Sequence, residues 1–430
     1  MYAQVAVENV NCTFDKDYDY SIPQQLEGKA LVGCRVAVPF GVGNRKRIGI
    51  ITRLTDSTQG KRIKSISAVL DEAPLLSNEM MSLARWISEQ TFCTYYEAVK
   101  AMLPAGINHK IIRSFCAVPG VDESVIASLD SDEKQVYDYL LSRSGYIKPE
   151  NFLKTLGFDV SSDIPERLLK AGLLAANDDA VRNIGDNNIR MVRLCEGSDD
   201  VSMTKKQSEV VNVLKDVGSV SVKELCYFTG YTPSVISALE KKGVVECFER
   251  EELRSFVSRY AVQSAYDSGE IHLTDEQQKA YDGLLEDYKS GTGKTALLYG
   301  VTGSGKTSVY LKLIDAVLAD NKTVIVMVPE ISLTPQTLSV FHSRYNDGVA
   351  VFHSALSAGE RADEWKRVKN GDAKIVIGTR SAVFAPLENI GLIIIDEEQE
   401  HTYKSEQTPR YNAKSVARYR AAWHKGLTLL

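Results

Sequence analysis

Gly300-Val-Thr-Gly-Ser-Gly305-Lys306-Thr307 fits the pattern G-x-x-x-x-G-K-[ST] at every fixed position. The chemistry needs that spacing. Gly300, Gly303 and Gly305 let backbone N–H groups close around a β-phosphate with no Cβ in the way. Lys306 supplies positive charge to the β- and γ-phosphates, and Thr307 offers a hydroxyl to Mg²⁺. Further on, Ile393-Ile-Ile395 runs into Asp396-Glu397-Glu398-Gln399. An apolar strand ending in acids predicts Asp396 as the Mg²⁺ anchor and Glu397 as the general base that activates water, with Lys306 as its catalytic partner on the phosphate. Upstream, Gly291-Thr-Gly293-Lys294-Thr295 copies the end of the motif, but the position of its first glycine falls on Tyr288 and polar residues precede it. That copy reads as a surface turn.

Strands and helices must position these groups. Ala296–Tyr299 reads as a short buried strand entering the loop, and Lys306–Leu318 as the amphipathic helix leaving it. Apolar runs at Thr323–Val328, Val349–Phe352, Lys374–Ile377 and Leu392–Ile395 alternate with helical stretches. This is the pattern of a parallel sheet with crossover helices, a RecA-like phosphate-loop lobe expected over 259–430. Residues 1–70 instead show short β-rich runs (Ala3–Val7, Arg35–Val38, Ile48–Ile51) between turn signals, which predicts a small β-barrel. A helical stretch over 77–100 follows, N-capped by Ser77, and closes a first domain at 1–110. In the middle, three short helical patterns and a Gly-led strand occur twice, over 111–200 and 201–258. Both read as winged-helix-like segments, with a connection or hairpin at 178–200. The fold class is therefore multidomain α/β with a small barrel.

Composition bounds the setting. The chain has 430 residues, a net charge of −5 and an ordinary hydrophobic share of 44%. No apolar run or N-terminal pattern suggests a membrane span or secretory signal. The seven cysteines are scattered without a C-x-x-C pair, so neither a disulfide framework nor a zinc site follows, and a reducing cytoplasm is the simplest home. Charge is unevenly spread. Nine Lys/Arg lie between Lys29 and Lys64 against one acid, Asp56, a candidate phosphate-binding face.

Other nucleotide-binding classes lack their marks. Asn321-Lys322-Thr323-Val324 is missing the Asp of a guanine reader, and Leu-Ser-Gly-Gly-Gln of a transporter ATPase is absent. Leu273-Thr-Asp-Glu-Gln277 lies where helicase-type motors carry an adenine-reading glutamine. Val328-Pro-Glu-Ile-Ser-Leu-Thr-Pro-Gln336 and Gly378-Thr-Arg380-Ser-Ala382 follow successive strands, where such lobes face DNA phosphates.

With Tyr403-Lys404 and Pro409-Arg410-Tyr411, these motifs resemble the PriA family of primosomal, replication-restart DNA helicases. Tyr18-Asp-Tyr-Ser-Ile-Pro23, Arg35-Val-Ala-Val-Pro-Phe-Gly41 and Ile48-Gly49 resemble that family's 3′-end-binding barrel. The resemblance implies a fork-DNA pocket lined by Tyr18, Asp19, Gly41 and Lys64, with further DNA contacts from Arg380 and Arg410. It also implies ATP and Mg²⁺ as cofactors, 3′–5′ unwinding and primosome assembly at stalled forks. The implied partners are forked DNA with a 3′-OH leading-strand end, single-stranded DNA, single-strand-binding protein and helicase-loading proteins, in a bacterial cytoplasm at the nucleoid. Three departures stand out. Gln399 replaces the usual His, Tyr18 replaces the usual Phe, and the chain stops before the family's Gly-Ser-Ala-Thr motif. The last predicts that the second lobe and the zinc-binding cysteines are missing, so that this chain binds fork DNA and nucleotide but does not unwind. Two other readings compete: a non-enzymatic fork-binding module, and a winged-helix regulator carrying an ATPase domain.

Overall fold

Alternating apolar residues build the first unit of the computed structural model, which describes all residues except 42, 59, 61, 122, 183–187, 196–201, 252–270 and 302. Six strands, β1 (Tyr2–Val7), β2 (Tyr18–Ser21), β3 (Arg35–Phe40), β4 (Arg45–Thr55), β5 (Lys64–Ser65) and β6 (Ala68–Val69), form one sheet in the order β5-β2-β1-β4-β3-β6. The sheet curls until β5 approaches β3, yet its edges β5 and β6 do not pair with each other. The expected barrel is therefore an open, half-closed sheet, because both edge strands are only two residues long. Ala3, Val5, Val7 and Val38 fill its concave core. Ala6 and Ile50 face the other way, into a core shared with the far lobe.

Two helices make that junction. Helix α1 (Asn78–Thr91) begins at Ser77, whose side chain accepts from the Met80 N–H. Helix α2 (Tyr95–Met102) begins at a Thr94–Glu97 capping box. The single stretch read at 77–100 is thus broken at Phe92, which takes a left-handed backbone (φ 52°).

The middle holds two small units. Strand β7 (His109–Ala117) pairs antiparallel with β8 (Leu174–Arg182) around α3 (Glu123–Ala127), α4 (Ser131–Leu141), α5 (Pro149–Leu156) and α6 (Ile164–Lys170). Then β9 (Asn188–Leu194) pairs with β10 (Ser219–Ser221) and β11 (Val245–Glu251), beside α7 (Lys205–Val217), α8 (Val222–Thr229) and α9 (Pro233–Lys241). The stretch 178–200 is not a hairpin over its described part. Strands β8 and β9 belong to different sheets, and β9 joins the second unit ahead of the expected boundary at 201.

The last unit is a parallel sheet, ordered β12-β17-β16-β13-β15-β14. Its strands are β12 (Thr295–Ala296), β13 (Thr323–Met327), β14 (Val349–Phe352), β15 (Ile375–Gly378), β16 (Ile390–Ile395) and β17 (Leu427–Leu429). The helices are α10 (Asp275–Lys289), α11 (Lys306–Ala319), α12 (Pro335–Tyr345), α13 (Ala358–Asn370) and α14 (Ala413–His424). Both faces are covered, which is why β13, β15 and β16 read as unbroken apolar runs. The strand expected at Ala296–Tyr299 is shorter and not buried: Leu297 is 65% exposed and Tyr299 91% exposed. A short parallel pairing with β17, the Leu298 N–H bond to the Leu430 carbonyl, and packing of Ala296 and Leu298 on the lobe core hold that edge.

The sheet's second face continues onto α1 and α2. At its centre Arg420 is fully buried, with Nε and Nη2 bonded to the Glu79 carboxylate at 2.8 and 2.9 Å. The remaining guanidinium donors go to the carbonyls of Val383, Ala385 and Leu387. Burial alone would raise the Glu79 carboxyl. The Arg420 charge and hydrogen bonds, with His424 nearby, bring it down to about 2 instead.

Candidate nucleotide site and nucleic-acid interface

The phosphate loop leads into α11 with Gly303 and Gly305 both in left-handed backbone (φ 80° and 78°). A Cβ on Gly305 would lie 2.3 Å from Gln277 Nε2, and one on Gly300 would lie 2.7 Å from Ser304 Oγ. The left-handed backbone favours glycine at Gly303 and Gly305, whereas the contacts at Gly300 and Gly305 are with movable side-chain ends. Lys306 Nζ donates to the carbonyls of Gly300 (2.6 Å) and Val301 (3.3 Å), so the ammonium sits inside its own loop. Thr307 is exposed at the helix start, beside the Tyr310 hydroxyl, which burial pushes up to about 12.

Gln277 caps α10 through Oε1, which accepts from the Thr274 N–H at 3.0 Å. Its Nε2 donates to the Ser304 carbonyl at 3.0 Å. It thereby ties the helix ahead of the loop to the loop itself.

A cleft of about 710 Å³ brings Lys306, Tyr310, Asp396 and Glu397 together. Asp396 ends β16. Burial pushes its carboxyl up, the bond from the Glu397 N–H lowers it, the Glu397 charge raises it, and Lys306 lowers it. Glu397 takes a left-handed backbone (φ 48°), an unusual conformation for a non-glycine residue. Gln399 Nε2 donates to Glu397 Oε2 at 2.6 Å. The residue that departs from the family pattern thus anchors the candidate base. Among the described residues no cluster of three or more His, Cys, Asp or Glu could hold a metal alone. Mg²⁺ here would be held by Thr307 and Asp396 together with phosphate oxygens and water, which suits its preference for keeping water ligands.

A second cleft, of about 560 Å³, lies at the strand ends and includes Glu330, Thr379, Arg380, Ser381 and Lys404. Arg380 Nη1 bonds the Lys404 and Thr402 carbonyls at 2.5 and 3.3 Å, and its guanidinium lies 5.9 Å from the Tyr411 ring centroid. Arg410 is exposed, and its carbonyl accepts from Lys404 Nζ. Buried Tyr403 lies between Thr402 and Lys404 of this second cleft, and its hydroxyl donates to the carbonyls of Asp396 (2.6 Å), which lines the first, and Met327 (3.2 Å). The resemblance places Tyr403 in a loop that couples DNA contact to ATP hydrolysis; its two hydrogen bonds could not be read from the sequence.

On the curled sheet, Lys64 Nζ bonds the Gly41 carbonyl at 2.6 Å. Tyr18 packs edge-on against Phe40, the residue before Gly41, with centroids 5.0 Å apart. Lys64 thus meets Gly41, while Tyr18 is linked to them through Phe40. Asp19 does not join them. The strand pleat sends its carboxylate to the opposite face, where it accepts from Thr58 Oγ1 (2.6 Å) and Gln4 Nε2 (3.4 Å).

The basic stretch is also less free than its charge suggests. Arg35 is buried and bidentate on Asp71, with its third nitrogen on the Ile107 carbonyl. Arg45 pairs with Glu166 at 2.9 Å, and Lys46 Nζ donates to the Asp178 carbonyl at 2.7 Å. Arg113 joins the same acids, so these cations dock the middle unit onto the sheet. Arg53 and Arg62 are exposed, while Lys61 lies outside the described residues. The acids at 166 and 178 are too distant in sequence for any local signal to reveal this use.

A parallel-sheet lobe with a phosphate loop and a paired Asp-Glu, joined to a curled β-sheet unit, defines a helicase-class protein with an appended DNA-binding domain. Residues 4–104 match the 3'DNA-binding domain (3'BD) of PriA, and residues 274–421 match the DEAD/DEAH box helicase family. The chain is 35% identical over 431 residues to the replication restart protein PriA of Bacillus subtilis (strain 168), covering 98% of this chain and 52% of that protein. It is 32% identical over 428 residues to the PriA of Synechocystis sp., covering 94% and 48%. Over 151 residues it is 48% identical to the PriA of Treponema pallidum, covering 35% and 22%. The chain belongs to the PriA family of replication restart proteins. It spans about half the length of the curated relatives it matches most extensively.

Proposed function

We propose that this chain recognises the 3′ end of a nascent strand at an abandoned replication fork and couples that contact to ATP hydrolysis in a 3′–5′ DNA helicase. The observation that carries this is Tyr403, whose hydroxyl reaches the backbone of the Mg²⁺-anchoring Asp396 from the loop beside the DNA-facing cleft. In this reading Lys306 and Thr307 bind phosphate and Mg²⁺, Asp396 holds the metal, and Glu397 takes the proton of the attacking water. The second Nε2 hydrogen and the other Oε1 lone pair of Gln277 suit the N7 and N6 edge of adenine. Lys64, Tyr18 and Gly41 would hold the terminal nucleotide, and Arg410 would meet the backbone. The two middle units would be winged-helix modules, and loading of the replicative helicase would involve single-strand-binding and primosome proteins.

The described residues contain one nucleotide-binding lobe. The chain's own phosphate loop and curled sheet should bind nucleotide and fork DNA. Binding to a fork with a free leading-strand 3′-OH, compared with the same fork carrying a 3′-phosphate, tests the reading. Preference for the free hydroxyl, lost in Lys64→Ala, is expected. Equal binding to both forks would reduce the curled sheet to a phosphate-attracting face.

A further inference from the structure

A cavity of about 270 Å³ lies where the segment after α2 meets α13 of the lobe. Its walls are apolar, with Met102, Leu103 and Pro104 on one side and Phe352 and Phe384 on the other. Its polar lining includes Arg361 and Trp365, one helical turn apart on α13 and therefore on the same face. Trp365 is only 3% exposed. Its Nε1 and the Nε of Arg361 are both buried with no hydrogen-bond partner. His353 also lines the space. Its Nδ1 accepts from the Ala355 N–H at 3.2 Å, so a neutral ring carries its proton on Nε2. Two buried, unpartnered N–H donors thus belong to side chains that line the chamber, and each calls for an acceptor.

The chamber adjoins the DNA-facing cleft. His353, Arg361 and Ser381 line both spaces. Beyond them stand Thr379, Arg380 and Lys404, a polar track suited to phosphate. A phosphate track beside an aromatic pocket with donors matches the two halves of a nucleotide. The donors select a ligand with carbonyl acceptors, and the aromatic walls suit a flat ring.

We propose that this cavity receives an unstacked keto base of single-stranded DNA, such as thymine. Its carbonyl oxygen accepts from Trp365 and Arg361 while its phosphate lies in the adjoining cleft. This rests on the reading that the cleft carries DNA. Because Met102–Pro104 belongs to the segment leading from the curled sheet, a bound base touches both that segment and the lobe. Adenine, which offers an amine where thymine offers a carbonyl, fits less well.

The test is fluorescence anisotropy of the whole chain with equal-length labelled oligo(dT), oligo(dA) and an abasic spacer strand. Oligo(dT) is expected to bind about tenfold more tightly than the abasic strand, with oligo(dA) between them. Trp365→Phe keeps the ring but removes the donor. It should abolish the dT-over-dA preference and leave abasic binding unchanged. Photocrosslinking of a 4-thiothymine strand to unmodified protein should mark Met102 or Phe384, a readout that does not depend on a variant folding. Equal binding of dT and abasic strands, or a dT preference that survives Trp365→Phe, would overturn the base pocket and leave the DNA-facing cleft standing. Failure to bind any single strand would overturn both.

Discussion

Gln399 is the side chain that holds the candidate base. Its amide holds Glu397 Oε2 at 2.6 Å, on a residue with a left-handed backbone. Gln399→Ala should leave nucleotide affinity unchanged and lower the hydrolysis rate by about tenfold, the pattern of a lost orienting contact. Fluorescent-nucleotide titration beside single-turnover hydrolysis separates the two effects. Asp19 makes the opposite point. Its carboxylate is spent on Thr58 and Gln4 across the strand from Tyr18. Asp19→Ala should therefore act mainly on local sheet stability, and Lys64→Ala mainly on 3′-end recognition.

Among the elements, α1 and α14 carry the junction between the curled sheet and the lobe. Every guanidinium donor of buried Arg420 is used, two of them on Glu79. Arg420→Met strands a buried carboxylate and should cost about 3–5 kcal/mol in denaturant unfolding, whereas the double change Arg420→Met/Glu79→Leu should recover most of it. A second close approach lies nearby. A Cβ on Gly106 would sit 2.2 Å from the Ala358 carbonyl oxygen, so Gly106→Ala should separate the segment after α2 from α13. A loss of about 1–3 kcal/mol in thermal unfolding is expected.

Across the whole molecule, pH and salt should act at different places. The Glu79 carboxyl is depressed from 4.5 to about 2 in the folded chain. Its contribution is therefore present above about pH 4.5 and is lost as pH falls towards 2. Urea midpoints across that window should fall in the parent and flatten in Glu79→Gln. Salt acts on the exposed cations. Arg53→Ala and Arg62→Ala should each reduce the slope of log affinity against log salt for duplex DNA by about 0.9 if each meets one phosphate. Arg35→Met should destabilise the fold without changing that slope, because Arg35 is buried on Asp71.

The phosphate loop, the Asp396–Glu397 pair, the parallel-sheet lobe and the Ser77 cap were legible in the amino-acid sequence by itself. Each depends on residue type and short-range spacing, which the backbone's own periodicity turns into geometry. Tertiary structure alone decided the rest. It placed Tyr403 between two clefts, separated Asp19 from Tyr18, left the curled sheet open and committed Arg35, Arg45 and Lys46 to internal partners. Those outcomes depend on side chains tens to hundreds of residues away, such as Glu79 against Arg420, and no local pattern records which distant acid a given cation will meet.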